Sequence, residues 1–417
     1  MKTSAQLKKQ NAKAAVFASA FATFAALNGF LFWAKPFEGE RFTYPYKTWT
    51  SWTVEKLRSD TERRNLAILG SSLTVTALSE ADAKLAGHAI DLSDYRDAHF
   101  LDHELEKKLH AKFRSINLSS PGQMPSDAYL TLKSALALGH HPPIVVYAIA
   151  PRDFIDGTMD DPTQTEAFKI LERVVDTEDA ANELAPSGWS KVFQTIKQNC
   201  YLVANAIDIQ MDTSQTVENL LRPIAALAPG RPNWTWKERF SFFPNYRPME
   251  VMPGALMAEV VSPVWPANVL PGDLSSYRAR YHNYNSSAFK KQLDFLKRVS
   301  QLCREERIEL VLVNMPIQEC NLALLSPVAR AHYLSEITLF AKQNDISFYD
   351  LCKPSEYSTN DYRDSVHLNA TGGQKFVQKL VQTMTADDRT QKNLLSAGKS
   401  FRDSAVAGRR DFSDSVK

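Results

Sequence analysis

A serine and an Asp/His pair that together can make a reactive serine stand far apart in this chain. Ser72 closes Gly70-Ser71-Ser72, which follows the apolar run Leu66 to Leu69 in "NLAILGSSLTVTA". Asp364 precedes His367 in "DYRDSVHLNATGGQKF". A serine hydroxyl is a weak nucleophile until an imidazole takes its proton, and the imidazole needs a carboxylate to fix its tautomer and stabilise its cation. Asp-x-x-His supplies both on one loop. The tetrahedral intermediate of acyl transfer also needs donors aimed at its oxyanion. The backbone N–H groups of Ser72 and Gly122 are candidates, and Arg152, permanently cationic, suits either an oxyanion or an anionic substrate group.

Taken singly, each signal has a plainer reading. Gly-Ser-Ser after a strand is an ordinary turn with a serine helix cap, Asp364 and His367 belong on a surface loop, Arg152-Asp153 is a local ion pair, and Gly122 is a turn residue. Ser71 competes with Ser72 as the reactive hydroxyl. What favours the chemical reading is order: the signals follow successive strand-like runs.

Five such runs recur, at Leu66 to Leu69, Ser115 to Leu118, Ile144 to Ala150, Ile308 to Asn314 and Ile346 to Asp350. Helix-period segments lie between several of them, at Ser126 to Leu138, Ala288 to Glu306, Val328 to Asn344 and Asn369 to Met384. Strands alternating with helices predict a parallel sheet covered on both faces, with reactive groups at the carboxyl ends of the strands. The alternation breaks over residues 160–284. Nine of the chain's 21 prolines fall between Pro223 and Pro271, which excludes long regular elements there. Trp234, Trp236 and Trp265 point to an ordered insertion, serving either as packing over one end of the sheet or as a cap or partner-binding surface. Residues 385–417 are polar and charge-mixed and read as a flexible or weakly helical tail.

The N-terminus predicts a membrane segment. Lysines precede the uncharged residues 14–34, which as a helix rise roughly 31 Å, about a bilayer's hydrocarbon thickness. Lys35-Pro36 follows where a signal cleavage site would need small residues, so an uncleaved anchor is expected, with residues 1–13 cytoplasmic and the main domain of 60–384 extracytoplasmic. The aromatic stretch Phe37 to Trp52 either lies near the headgroups or packs on the domain. With 49 Lys and Arg against 47 Asp and Glu, the formal charge of +2 gives no reason to expect nucleic acid. Four dispersed cysteines carry no CxxC spacing, and His99 and His103 lack the glutamate placement of a zinc protease, so neither metal nor cofactor is expected.

On Gly70-Ser71-Ser72, Gly122 and Asp364 to His367 the chain resembles the SGNH (GDSL-type) hydrolase superfamily. The resemblance implies a flavodoxin-like three-layer α/β sandwich after the N-terminal transmembrane helix. It implies Ser72 as nucleophile, His367 as general base and then acid, Asp364 as orienting carboxylate, and Gly122 in the oxyanion site. The chain departs from the family at its third block, where Ala150-Pro151-Arg152-Asp153 replaces Gly-x-Asn-Asp and Arg152 stands in the asparagine's position. The anchor and the Gly-Ser-Ser start look most like the DltD-like proteins of teichoic-acid D-alanylation. The implied activity is esterase or acyltransferase action on an acyl group of a cell-envelope polymer or glycan, with a membrane protein as a further partner. The other reading is a catalytically silent SGNH-like binding or assembly module.

Overall fold

The computed structural model describes residues 4–36, 47–159, 161–184, 188–206, 209, 251, 253–261, 270–282 and 284–399. Trp234, Trp236, Trp265 and the stretch 37–46 lie outside these residues. The chain divides into two compact units, Met1–Tyr46 with Ala185–Pro248, and Lys47–Leu184 with Met249–Lys417. Of the expected insertion, only 185–248 falls outside the unit that carries the sheet.

That unit is built on five parallel strands, β1 (Leu66–Leu69), β2 (Ser115–Asn117), β3 (Ile144–Ile149), β4 (Glu309–Asn314) and β5 (Ser347–Asp350). Their order is β2-β1-β3-β4-β5, the flavodoxin-like arrangement, whose switch point lies between β1 and β3. Register runs through Leu66↔Ser115, Ala67↔Val145, Ile144↔Glu309 and Val311↔Ser347. Strand bounds fall within two residues of those read from the sequence, because strands buried on both faces read as unbroken apolar runs.

Alternation along each strand divides the core in two. Leu66, Ile68, Val146, Ala148, Val311 and Val313 face one layer, with Leu73 and Ala77 of α3 (Ser72–Ala86), Phe100 and Leu101 of α4 (His99–Leu109), and Phe376 and Leu380 of a helix spanning Ala370–Ala386. Ala67, Leu69, Val145, Tyr147, Leu310 and Leu312 face the other. There they meet Leu132 of α5 (Pro125–Ala137) and the helices Ser286–Glu305 and Pro327–Gln343 through Leu296 and Ile337. Helix, sheet, helix is the three-layer sandwich.

One stretch departs from expectation, and another falls to one of the two readings the sequence left open. Residues 388–399, expected as flexible or weakly helical, form a regular helix that buries Leu394 and Ala397. Thr390, also buried, meets Tyr349 Oη through its Oγ1 at 2.8 Å, so apolar and polar contacts together seat one face of the helix; residues 400–417 lie outside the described ones. At the other end, Trp49 of α2 (Trp49–Ser59) is buried and donates its indole N–H to Ser119 O at 2.9 Å, while Trp52 donates to Val251 O at 2.8 Å. For these two aromatics, packing on the domain is what is observed.

The first unit holds α1 (Ser4–Ala34), whose part Ala12–Ala34 is long and apolar enough to cross a membrane and is 0% buried. It also holds α9 (Gly188–Asn199) and α10 (Tyr201–Ala204); α6 (Pro151–Ile155), α7 (Glu166–Leu171) and α8 (Glu178–Leu184) belong with the sheet. The remaining helices of the sheet unit are α11 (Leu270–Tyr281), α12 (Ser286–Glu305), α13 (Glu319–Leu322), α14 (Pro327–Gln343) and α15 (Ala370–Ala386).

Candidate active site

The turn after β1 is tight because Gly70 lets three elements meet. A Cβ there would lie 2.3 Å from Thr74 Oγ1 and 2.9 Å from Ala148 O. Gln123, next to Gly122 on the β2–α5 loop, accepts the Gly70 N–H at 2.9 Å, and Gly70 O accepts from Ser120 N at 3.0 Å. The first two switch loops are thereby joined. Ser71 caps α3 in extended conformation without a side-chain cap bond, and Ser72 is its first residue. Backbone N–H groups in a helix's first turn have no intrahelical acceptor and carry the positive end of its dipole.

The Asp364–His367 loop is held from two sides. Asn369 caps α15, accepting from Thr371 N and Gly372 N at 3.0 Å each, and Arg363, whose N–H donates to His367 O at 2.9 Å, pairs with the buried Glu80 of α3. His367 Nε2 consequently lies 2.8 Å from Ser72 Oγ, and His367 Nδ1 lies 2.6 Å from Asp364 Oδ2. Asp364 Oδ1 accepts the Val366 and His367 N–H groups at 2.9 and 2.7 Å. Burial pushes the Asp364 carboxyl up, but His367 and these amides outweigh it and hold it below the ordinary carboxylate range. An ionised Asp364 accepts a hydrogen bond from Nδ1–H, which keeps the proton on Nδ1 and leaves Nε2 as the acceptor facing the Ser72 hydroxyl.

The two serines are thus distinguished. Ser72, half-buried, bonds the imidazole; Ser71, buried, faces the carboxyl of Asp153 instead. Because a helix begins at Ser72, the two side chains point to different sides.

Gly122 and Arg152 are also brought together. Gly122 has φ of 78°, and a Cβ added to it would sit 3.5 Å from Arg152 Nη2. Arg152 is held by Asp156 at 2.8 Å, one helical turn on, and Asp156 is shared with Arg280 of α11 at 2.5 Å. Two guanidinium groups on one carboxylate leave a net positive charge beside the turn. Asp153 is fully enclosed: Oδ2 accepts Ala150 N at 2.9 Å, while Oδ1 has no well-formed hydrogen bond and lies 3.8 Å from Arg152 Nη1. Burial pushes its carboxyl up to about 7 against the pull of Arg152.

Several neighbours carried little sequence signal. Gln318 donates to Asp364 O at 2.9 Å, and Asp273 of α11 accepts the Ser365 N–H at 3.2 Å. Burial, and after it the Asp364 charge, push the Tyr277 phenol above its ordinary value. Asp273, Tyr277 and Arg280 fall within the expected insertion of 160–284, after its last proline, and nothing local in their sequence says where they return. Asp156 was legible only through its i+4 spacing from Arg152. Asn314, at the end of β4, is engaged by Tyr333 at 3.0 Å and Asp350 at 2.7 Å, a packing role. His99 and His103 are exposed on α4, and among the described residues no group of three or more potential ligands gathers as a metal site.

No protein-family description matches the chain, and no curated protein matches it. Among solved structures it is similar to a candidate acylhydrolase of Bacteroides fragilis NCTC 9343, with 10% identity over 81% of this chain and 94% of that one and a TM-score of 0.33. So loose an overlap carries no weight; the flavodoxin-like assignment rests on the strand order.

Proposed function

We propose that this protein is a membrane-anchored, extracytoplasmic serine esterase or acyltransferase of the SGNH type, acting on an acyl group of a cell-envelope polymer or glycan. The observation that carries the proposal is the continuous chain Ser72 Oγ to His367 Nε2 at 2.8 Å and His367 Nδ1 to Asp364 Oδ2 at 2.6 Å. In this reading Ser72 Oγ attacks the acyl carbonyl as Nε2 takes its proton, and Asp364 stabilises the imidazolium. The oxyanion is met by the Ser72 and Gly122 N–H groups and by Arg152. Collapse expels the alcohol, which receives the proton from His367, and leaves an acyl-Ser72 ester. Water or a second hydroxyl then resolves that ester with His367 as base. The anchor and the Gly-Ser-Ser turn favour the DltD-like branch.

Trapping with a serine-directed fluorophosphonate tests this. The wild-type chain should label and Ser72→Ala should not, while Ser71→Ala keeps the label. Labelling that persists in Ser72→Ala removes the assignment. The silent-module reading gains support from Arg152 in the asparagine's place, and it predicts no labelling of the folded wild-type chain.

A further inference from the structure

Helix α9 presents an apolar stripe that nothing among the described residues covers. Within "GWSKVFQTIKQN" Val192, Phe193 and Ile196 fall at i, i+1 and i+4, one arc of about 100° on a helix, and Lys191 and Thr195 fall outside that arc. Val192, Phe193 and Ile196 are 46, 50 and 47% exposed. Three large apolar side chains in one stripe mark a contact surface, unlike singly scattered ones.

The occupant follows from what α9 is attached to. It runs through Cys200 into α10, and α10 is fixed to α1: Leu202 N–H donates to Asn28 Oδ1 at 3.3 Å, Cys200 Sγ lies 3.4 Å from the same oxygen, and the Tyr201 ring meets Phe32 edge-on at 5.7 Å. This also explains the polar Asn28 inside an apolar helix, since its amide oxygen serves a backbone donor that lipid could not satisfy. Asn28 lies six residues before Ala34, about 9 Å along the helix. Amphipathic helices in the plane of a bilayer bury their apolar face ~5–10 Å into the headgroup and acyl boundary. The α9–α10 junction is therefore held at that depth from the end of the span.

We infer that α9 is an interfacial helix seated in the lipid headgroup and acyl boundary of the leaflet where α1 ends, its Val192, Phe193 and Ile196 stripe facing the acyl chains. The inference rests on the reading of α1 as membrane-spanning. Together α1 and α9 contact the bilayer as a post and a foot, which fixes the tilt and rotation of their unit where a single span would leave both free.

Nitroxide accessibility in the full chain, reconstituted into vesicles of phosphatidylcholine and phosphatidylglycerol, tests it. Cys320 is the exposed cysteine and is replaced by serine; the other three are buried. Single cysteines are then labelled at 191, 192, 193, 195 and 196, with Phe21→Cys in α1 as the membrane reference. Circular dichroism and the melting temperature verify that each variant folds. The ratio of oxygen to nickel-chelate accessibility should be several-fold higher at 192, 193 and 196 than at 191 and 195, and high at 21. If position 21 reports lipid while the apolar positions match 191, α9 lies in water and the inference falls. If those positions are shielded from both reagents, protein covers the stripe and the inference also falls. Water accessibility at position 21 overturns the span itself, and the inference with it.

Discussion

A Cβ added at Gly373 would lie 2.3 Å from the carbonyl oxygen of Ala77, so α15 and α3 meet backbone to backbone. The contact bears on the site because α3 begins with Ser72 and α15 follows directly on His367. The spacing of the two helices sets the 2.8 Å separation of Ser72 Oγ and His367 Nε2. Gly373→Ala must push the helices apart. It should cost about 1–3 kcal/mol of stability, as overpacking does, and should slow fluorophosphonate labelling at temperatures where the variant is still folded. Unchanged melting and labelling would show that the helices are not in contact as described.

Gln123 offers a separable test of the scaffold. Its amide oxygen accepts the Gly70 N–H, and its amide nitrogen donates to Leu118 O at 3.2 Å. Gln123→Ala strands a buried backbone donor, a loss of about 1–3 kcal/mol. The melting temperature should fall, and Gln123→Glu should recover part of it because a carboxylate still accepts from Gly70. An unchanged melting temperature in Gln123→Ala would mean the Gly70 bond contributes nothing.

Arg152 decides between two roles. As an oxyanion donor, its loss should lower ester turnover by ~10²–10³, the range for removing one such donor. As a clamp on Asp156 alone, its loss should destabilise the chain while leaving turnover near wild type, since Arg280 remains on that carboxylate. Turnover of p-nitrophenyl acetate by Arg152→Ala, read beside its melting temperature, separates the two. Arg152→Asn, which supplies a neutral donor at the same position, should retain more activity than the alanine variant.

The elements that position the site were legible because their physics is local. The β1 run Leu66 to Leu69 is buried on both faces and so is continuously apolar, Asn369 and Ser71 mark helix starts, and Asp364 precedes His367 on one loop. The pairing of Arg152 with Asp156 and Arg280 was not legible as a unit. Its i+4 half follows from helical spacing, but Arg280 reaches Asp156 only because α11 folds back onto α6, a tertiary fact with no trace in the residues around it. Helix 388–399 was hidden for the related reason that Leu394 has its burial fixed by the sheet layer beneath it. Ser72 is preferred to Ser71 through the motif match; periodicity cannot decide it, because a helix boundary is least exact at the level of one residue.

Asp153 predicts a pH dependence with a definite sign. Its carboxyl titrates near 3.8 in an unfolded chain and is pushed up to about 7 by burial in the folded one. Between those values the folded state holds a proton that the unfolded state has lost, so raising the pH across this window destabilises the fold. Asp153→Asn mimics the protonated form at every pH. Its stability relative to wild type should therefore rise from pH 4 to pH 7 and level off above, by at most roughly 4 kcal/mol. Asp102 and Asp127, both pushed up to about 6 by burial, titrate in the same window but are common to both chains and cancel in the difference. Asp364, held low, titrates below the window. Denaturant unfolding of the two chains at intervals from pH 4 to pH 8 measures the difference directly. A curve that stays flat from pH 4 to pH 8 would mean that Arg152 overrides burial and keeps Asp153 ionised, and the positive charge beside Ser72 would then be largely neutralised.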